Sequence, residues 1–255
     1  MPRTFCRAVG QRTAPLPRLA MKNQYFGDIN DYRKYALLRT LCGCDIRLSV
    51  CWMLTPDDTG PDGRRTKYLE QPTRWRRFDP ELFDSLRKAV PNNRRVAWAE
   101  EMGILRSTCF YSRLLSDSKE QRGQWFKDFL CCAHHSELVF FDPDNGLDVP
   151  SRPYGGRDSS KYLYRKELKD TWNAGHSVLL YQHFPFKKRE DFVREVAANL
   201  RARISLAEVV AFRTPFVVFF LLARPEHNQL TNRAADVERV WGKQIRVTFH
   251  PARNQ

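Results

Sequence analysis

Hydrophobic positions in this chain alternate between spaced stripes and short continuous runs. Asp28 is a predicted N-cap and Asp31 places an acid in the first turn, while Tyr32, Tyr35, Leu38 and Leu41 recur at helical spacing. Ile46 to Leu54 is predicted as a buried strand, followed by a Gly-, Pro- and charge-rich loop that starts at Thr55-Pro56-Asp57-Asp58-Thr59-Gly60. Asp79-Pro80 opens a helix with proline at its first position, and Leu82, Phe83, Leu86 and Val90 form its inner stripe. Arg95 to Glu100 reads as a short strand, and Glu120 to Cys132 as a helix through Trp125, Phe126, Phe129 and Leu130. Leu138-Val139-Phe140-Phe141 has no polar interruption, the mark of a strand covered on both faces. A helix from Lys166 to Asn173, a strand from Ser177 to Tyr181 and an amphipathic helix from Lys187 to Ile204 follow. Val209 to Arg213 and Phe216 to Ala223 are separated only by Thr214-Pro215, which requires an antiparallel pair. A helix around Ala234 to Trp241 and a strand from Ile245 to Phe249 close the chain.

Buried strands alternating with amphipathic helices predict one α/β domain over residues 21–255. The expected architecture is a Rossmann-like three-layer sandwich, with a mostly parallel sheet and a C-terminal antiparallel strand pair. Ligands of open sheets bind beyond the carboxyl ends of the strands, which directs attention to loops 55–60, 142–148 and 182–187. The longest apolar stretch, Phe216 to Ala223, is strand-sized, so no membrane span is expected. Residues 1–20 carry Arg3, Arg7, Arg12 and Arg18, three prolines and no acid. They are expected to be a disordered basic leader, or the product of a start assigned upstream of Met21.

Charge adds a partner to this picture. Forty-three Lys and Arg against 29 Asp and Glu give a net +14 in 255 residues, which favours nucleic acid or a nucleotide. Seven cysteines, an odd number, do not form a disulfide framework, and a reducing cytoplasm fits best. Cys131-Cys132 with His134-His135 departs from zinc-ligand spacings, so no metal site is expected there.

The densest chemistry lies in Asp142-Pro143-Asp144-Asn145-Gly146, directly after the 138–141 run. Proline fixes φ and Asn-Gly tolerates positive φ, so a tight turn holds polar groups above the sheet. Such acceptors can hold an amino group, and two carboxylates two residues apart can also bind Mg²⁺. Lys161 and Tyr162, in Ser159 to Tyr164, and Gln182 and His183, at the end of the next strand, come to the same edge. Gln182 can hydrogen-bond a base and His183 can move a proton. Gln24 to Tyr35 interleaves aromatic, acidic and basic residues, among them Tyr25, Asp28, Tyr32 and Lys34, in a pattern that can clamp bases and phosphates.

The segments Asn23 to Tyr35, Cys51 to Asp58, Phe140 to Gly146 and Tyr181 to Pro185 resemble a bacterial family marked by these motifs, a likeness that names no activity. More distantly, the order after Leu138 resembles class I S-adenosylmethionine-dependent methyltransferases, in particular the ribosomal-RNA adenine-N6 type related to competence proteins. There Asp142-Pro143-Asp144-Asn145 would stand where amino-methyltransferases carry Asp/Asn-Pro-Pro-Tyr/Phe, and the last two strands would match their antiparallel hairpin. Asp28 to Lys34 is similar in placement to a Lys-bearing helical segment before their first strand. The resemblance implies S-adenosylmethionine as cofactor, near Thr55, Asp57, Asp58 and Gly60. This chain differs in its Gly-poor 55–60 loop and in Asp144 and Asn145 replacing a proline and an aromatic residue.

Three functions follow. The first is a methyltransferase-like enzyme acting on nucleic acid, with Asp142 and Asn145 as substrate acceptors. The second is a Mg²⁺-dependent nuclease or phosphohydrolase using Asp142 and Asp144, with Lys161 near the phosphate. The third is a non-catalytic nucleic-acid-binding module.

Overall fold

Helix α1 (Ile29–Cys42) starts where the Asp28 carboxylate accepts hydrogen bonds from the amides of Asn30 and Asp31, satisfying two otherwise orphan donors. The computed structural model describes residues 26–56, 65–91, 94–204 and 206–251; the expectation for residues 1–20 falls outside them. After α1 come β1 (Leu48–Cys51), α2 (Pro72–Trp75), α3 (Pro80–Ala89), α4 (Ala97–Glu101) and β2 (Thr108–Tyr111). The middle of the chain forms α5 (Lys119–Ala133), β3 (Leu138–Phe141), β4 (Gly146–Leu147), β5 (Tyr162–Leu163) and α6 (Arg165–Asn173). The last part forms β6 (Ser177–His183), α7 (Arg189–Arg203), β7 (Glu208–Arg213), β8 (Val217–Ala223), α8 (Gln229–Trp241) and β9 (Arg246–His250).

The fold is mixed α/β. Its main sheet has seven strands in the order β2-β1-β3-β6-β8-β7-β9, and β4 and β5 form a separate two-stranded piece. Pairing is parallel from β2 through β1 and β3 to β6, and antiparallel from β6 through β8 and β7 to β9. The antiparallel part is therefore larger than the expected strand pair, because β9 adds to the free edge of β7. Thr214 closes the β7–β8 hairpin: its hydroxyl oxygen accepts from the amides of Phe216 and Val217.

Period-2 alternation divides the buried strand residues between two cores. Val50, Phe140, Leu179 and Phe219 pack with residues of α1, α3 and α8, while Cys51, Phe141, Leu180 and Phe220 pack with residues of α5, α6 and α7. Helix α1 lies against α3 and α8, and it is buried on nearly every side, Asp31, Arg33 and Lys34 included. The simple inner stripe expected for it understates that burial.

The expected strand at 95–100 is the helix α4. Ala97-Trp98-Ala99-Glu100-Glu101 holds helix formers and no β-branched residue, so local preference opposes a strand. The strand of this region is β2, which begins seven residues beyond the end of α4, at the edge of the sheet and only partly buried. Among the described residues no helix is long and apolar enough to cross a membrane.

Candidate active site

Strands β1 and β3 end together at the paired Cys51 and Phe141, and β6 pairs with β3 up to Leu180 and runs on to His183, so the segments that leave them meet at one rim. The Asp142 amide donates to the Cys51 carbonyl at 3.0 Å, which extends the β1–β3 ladder one residue and fixes where the turn begins. The Asn145 amide donates to the Lys161 carbonyl at 2.9 Å, and Gly146-Leu147 pairs with Tyr162-Leu163. Gly146 has φ +111°, and a Cβ there would lie 2.3 Å from Gln182 Oε1. Glycine is required at this position by backbone conformation and by space.

Gln182 is the clamp on this turn. Its Oε1 accepts from the Leu147 amide at 2.8 Å, and its Nε2 donates to the carbonyls of Asn145 and His183. The expectation that Gln182 binds substrate is corrected by this geometry, because its amide is buried and committed to the backbone. Gln182→Leu leaves the buried Leu147 amide without an acceptor and is expected to cost about 1–3 kcal/mol in urea unfolding. Unchanged stability would show that the turn is held by other contacts.

A cavity of about 560 Å³ opens at this rim, a size suited to a nucleoside-scale ligand. Asp142, Asp144, Asn145, His183, Lys34, Thr55, Asp28 and Lys161 all line it, from five separate stretches of sequence. Tyr32 does not. Its hydroxyl donates to the Trp75 carbonyl and accepts from the Asp79 amide, so it is a core tether and not a substrate contact. Tyr162 lies outside the wall too, with its carbonyl bound by Arg122. Tyr25, Asp57, Asp58 and Gly60 fall outside the described residues.

Acid dominates the floor. Lys34 Nζ sits 2.7 Å from Asp142 Oδ2 and 2.7 Å from Asp31 Oδ1, with both side chains of the Lys34–Asp31 pair more than nine-tenths buried. Burial would lower the Lys34 ammonium, but Asp142 and Asp31 outweigh it and hold the lysine charged well above its ordinary range. Burial pushes the Asp142 carboxyl up, and Lys34 opposes that push. The ammonium also faces the rings of Tyr35 and Trp52 at 5.2 and 5.3 Å. Asp31 Oδ2 accepts from the Gly27 amide, which ties the start of α1 to the same cluster.

Asp28 titrates near neutrality: burial first, and then the Asp31 charge, raise its carboxyl to about 6. The folded pKa exceeds the ordinary value of 3.8, so the native state binds the extra proton between those two points. Stability from this group is therefore present at low pH and lost as pH rises through about 6. Asp28→Asn keeps a capping side chain and removes the titration. The stability difference between native protein and variant is expected to move by about 2–3 kcal/mol in favour of the native protein from pH 8 to pH 4. A difference that stays flat with pH would refute the shift.

Asn30, Asp31 and Tyr35 enter the wall from the segment Gln24 to Tyr35 and Tyr181 from the end of β6, both legible as segments, whereas Trp52, Arg65 and Phe216 are not legible as site residues from sequence. Asn30 Oδ1 is buried in the wall with no partner. Met53 is held at φ +48°, a conformation rare for a side chain of its size, directly beyond β1. The spacing Asp28, Asp31, Lys34 gave a signal that could have been used: three charged residues one helical turn apart share a single face.

The fold and the rim thus define a mixed α/β protein with an acidic, aromatic-walled cavity at the carboxyl edge of its parallel strands. No family model matches the chain, and no curated protein matches it. Among solved structures it is similar to protein LPL1258 from Legionella pneumophila str. Philadelphia 1, of family DUF519. The identity is 11% over 89% of this chain and 98% of that one, with a TM-score of 0.41.

Proposed function

We propose that this chain is a methyltransferase-like enzyme with a Rossmann-like, three-layer arrangement, acting on an amino group of a nucleobase in nucleic acid. The observation that carries the reading is Asp142: a carboxylate at the carboxyl end of a buried strand, fixed by Lys34 and opening onto a nucleoside-sized cavity.

S-adenosylmethionine fits the donor set of the wall. Asn30 Oδ1 is a buried acceptor that lacks a donor, Asp28 offers a further carboxylate, and Phe26, Trp52 and Val96 offer apolar surface for a purine ring. When bound, this cofactor supplies an activated methyl group. The residues of the chain do the rest. Asp142, with Asn145 beside it, accepts from the N–H groups of the target amine, which turns the nitrogen lone pair toward the methyl donor. Lys34 favours the ionised form of Asp142 and holds the carboxylate in place. His183 stands at the exposed lip, with its Nε2 3.2 Å from the Tyr181 hydroxyl, where it can receive the proton that the amine releases.

The metal-dependent alternative has weaker support, because its proposed ligands are engaged. Asp142 Oδ2 is taken by Lys34, and Asp144 Oδ2 accepts from the Thr55 hydroxyl at 2.9 Å. The Lys34 ammonium already neutralises Asp142, one of the two proposed ligands. Among the described residues no three His, Cys, Asp or Glu side chains are arranged to hold a metal.

Transfer of a tritiated methyl group from S-adenosylmethionine to RNA and DNA oligonucleotides tests the proposal. Native protein is expected to label adenine- or cytosine-containing strands, and Asp142→Ala to lose about 100-fold or more in rate. Absence of label on every nucleic acid offered would overturn the proposal. An Asp142→Ala variant with unchanged oligonucleotide affinity and no activity in either protein would favour the non-catalytic binding module.

A further inference from the structure

Beyond β6 the chain reads Phe184-Pro185-Phe186-Lys187-Lys188-Arg189 and then enters α7. Phe184 is spoken for: its ring packs on Phe192 and lies under the Arg189 guanidinium at 5.3 Å. Phe186 is not used by the fold. Its side chain is fully exposed, the largest exposure of any large hydrophobic residue described. An aromatic ring on a charged loop, held in water by a neighbouring proline, has no stabilising role in the folded chain.

Its location gives it one. His183 lines the cavity, and Phe186 is three residues farther on, so their Cα atoms are at most ~11 Å apart. On the facing strand His183 pairs with Val217, and the preceding Phe216 is both a cavity residue and partly exposed. The Arg65 guanidinium lies 3.7 Å from the centre of the Phe216 ring. Lys161 stands at the same mouth, 3.0 Å from Asp158. The acids nearest in sequence to Phe186 are Glu190 and Asp191 in the first turn of α7, and Glu195 is bound by Lys187. Glu190 is partnered by Arg213 and Arg246, and Asp191 by Arg194, so each of these acids has a cation beside it.

We infer that Phe186, with Lys187 and Lys188, is a stacking platform for an unpaired nucleotide next to the one that enters the cavity, which makes the ligand single-stranded nucleic acid. This rests on the nucleic-acid reading of the same site. Exposed aromatic rings interleaved with cations bind single strands because any base offers a π-face and any backbone offers charge. A base can reach a walled cavity only after leaving its stack, and a single strand has no pairing to break. A platform one nucleotide from the mouth would also hold the strand open there.

Fluorescence anisotropy with a labelled 12-nucleotide single strand and its duplex tests this. Native protein is expected to prefer the single strand by about 10-fold or more, and Phe186→Ala to lose about 10-fold in single-strand affinity while Phe186→Trp retains it. Phe186 is outside every core, so these variants fold as the native protein does, and their binding of S-adenosylmethionine is expected to be unchanged. Equal affinity for single strand and duplex, or a Phe186→Ala variant that binds like the native protein, would overturn the platform. So would Phe186-dependent binding to anionic phospholipid vesicles with no oligonucleotide binding. Phe186-dependent single-strand binding without methyl transfer would support the platform and refute the enzymatic reading. Methyl transfer that is equal on duplex and single strand would do the reverse.

Discussion

Replacing Arg122 by methionine is expected to lower the unfolding free energy by about 3–5 kcal/mol. Arg122 is fully buried on α5, and its guanidinium makes a bidentate pair with Glu167 at 2.7 and 2.8 Å. The same group donates to the carbonyls of Ser159 and Tyr162, each at 2.7 Å, and lies over the rings of Tyr154 and Tyr164. Removing it leaves the buried Glu167 carboxylate without its counter-charge and takes a donor from each of the Ser159 and Tyr162 carbonyls, which is the costly direction of the asymmetry between breaking and replacing a pair. Arg122→Met combined with Glu167→Leu is expected to recover much of the loss, because both charges then go. Urea unfolding of the two variants decides the matter. A single-variant loss below about 1 kcal/mol would place the pair among weak, solvent-screened contacts. The consequence reaches the site: segment 148–165 hangs on Arg122, and on Asp117, which accepts from the Asp158 and Ser160 amides. Lys161 is delivered to the cavity by that frame.

Lys34→Met is expected to cost a similar amount, about 3–5 kcal/mol near pH 7, by leaving Asp31 and Asp142 buried without a counter-charge. This loss should depend on pH in a known direction. Without Lys34 the two carboxylates take up protons more readily in the folded state than in the unfolded chain, so the variant gains stability as pH falls from 7 toward 5. In the native protein Lys34 opposes that proton uptake at Asp142, so the gap between the two should narrow on acidification. Denaturant titrations at pH 7.5 and pH 5 test this. A gap that stays constant would mean that the two acids are solvated in the variant.

Much of this site was legible in the chain, for identifiable reasons. Leu138 to Phe141 could only be a strand covered on both faces, so Asp142 had to emerge at its end. The alternation of strands with helices then put 142–146, 55 and 183 on one rim. Other features depended on packing that no local pattern carries. Tyr32 and Tyr35 are three residues apart, yet one hydroxyl tethers the core and the other lies in the cavity wall, because α1 is covered on almost every side. Gln182 and His183 are adjacent in sequence, but strand alternation turns the first toward the backbone turn and the second toward the rim. Strand β2 is short and half-covered, so it left little hydrophobic signal, whereas β9 could be read as a strand but not as a neighbour of β7.

Isothermal titration of the purified chain with S-adenosylmethionine tests most directly whether the carboxyl-edge cavity is a nucleoside-cofactor site. One equivalent should bind with measurable heat, and Asn30→Leu, which removes the buried unpartnered acceptor, should weaken binding by about 10-fold. No heat and no thermal shift at millimolar ligand, or identical binding by Asn30→Leu and Asp142→Ala, would place the ligand elsewhere or nowhere on this protein.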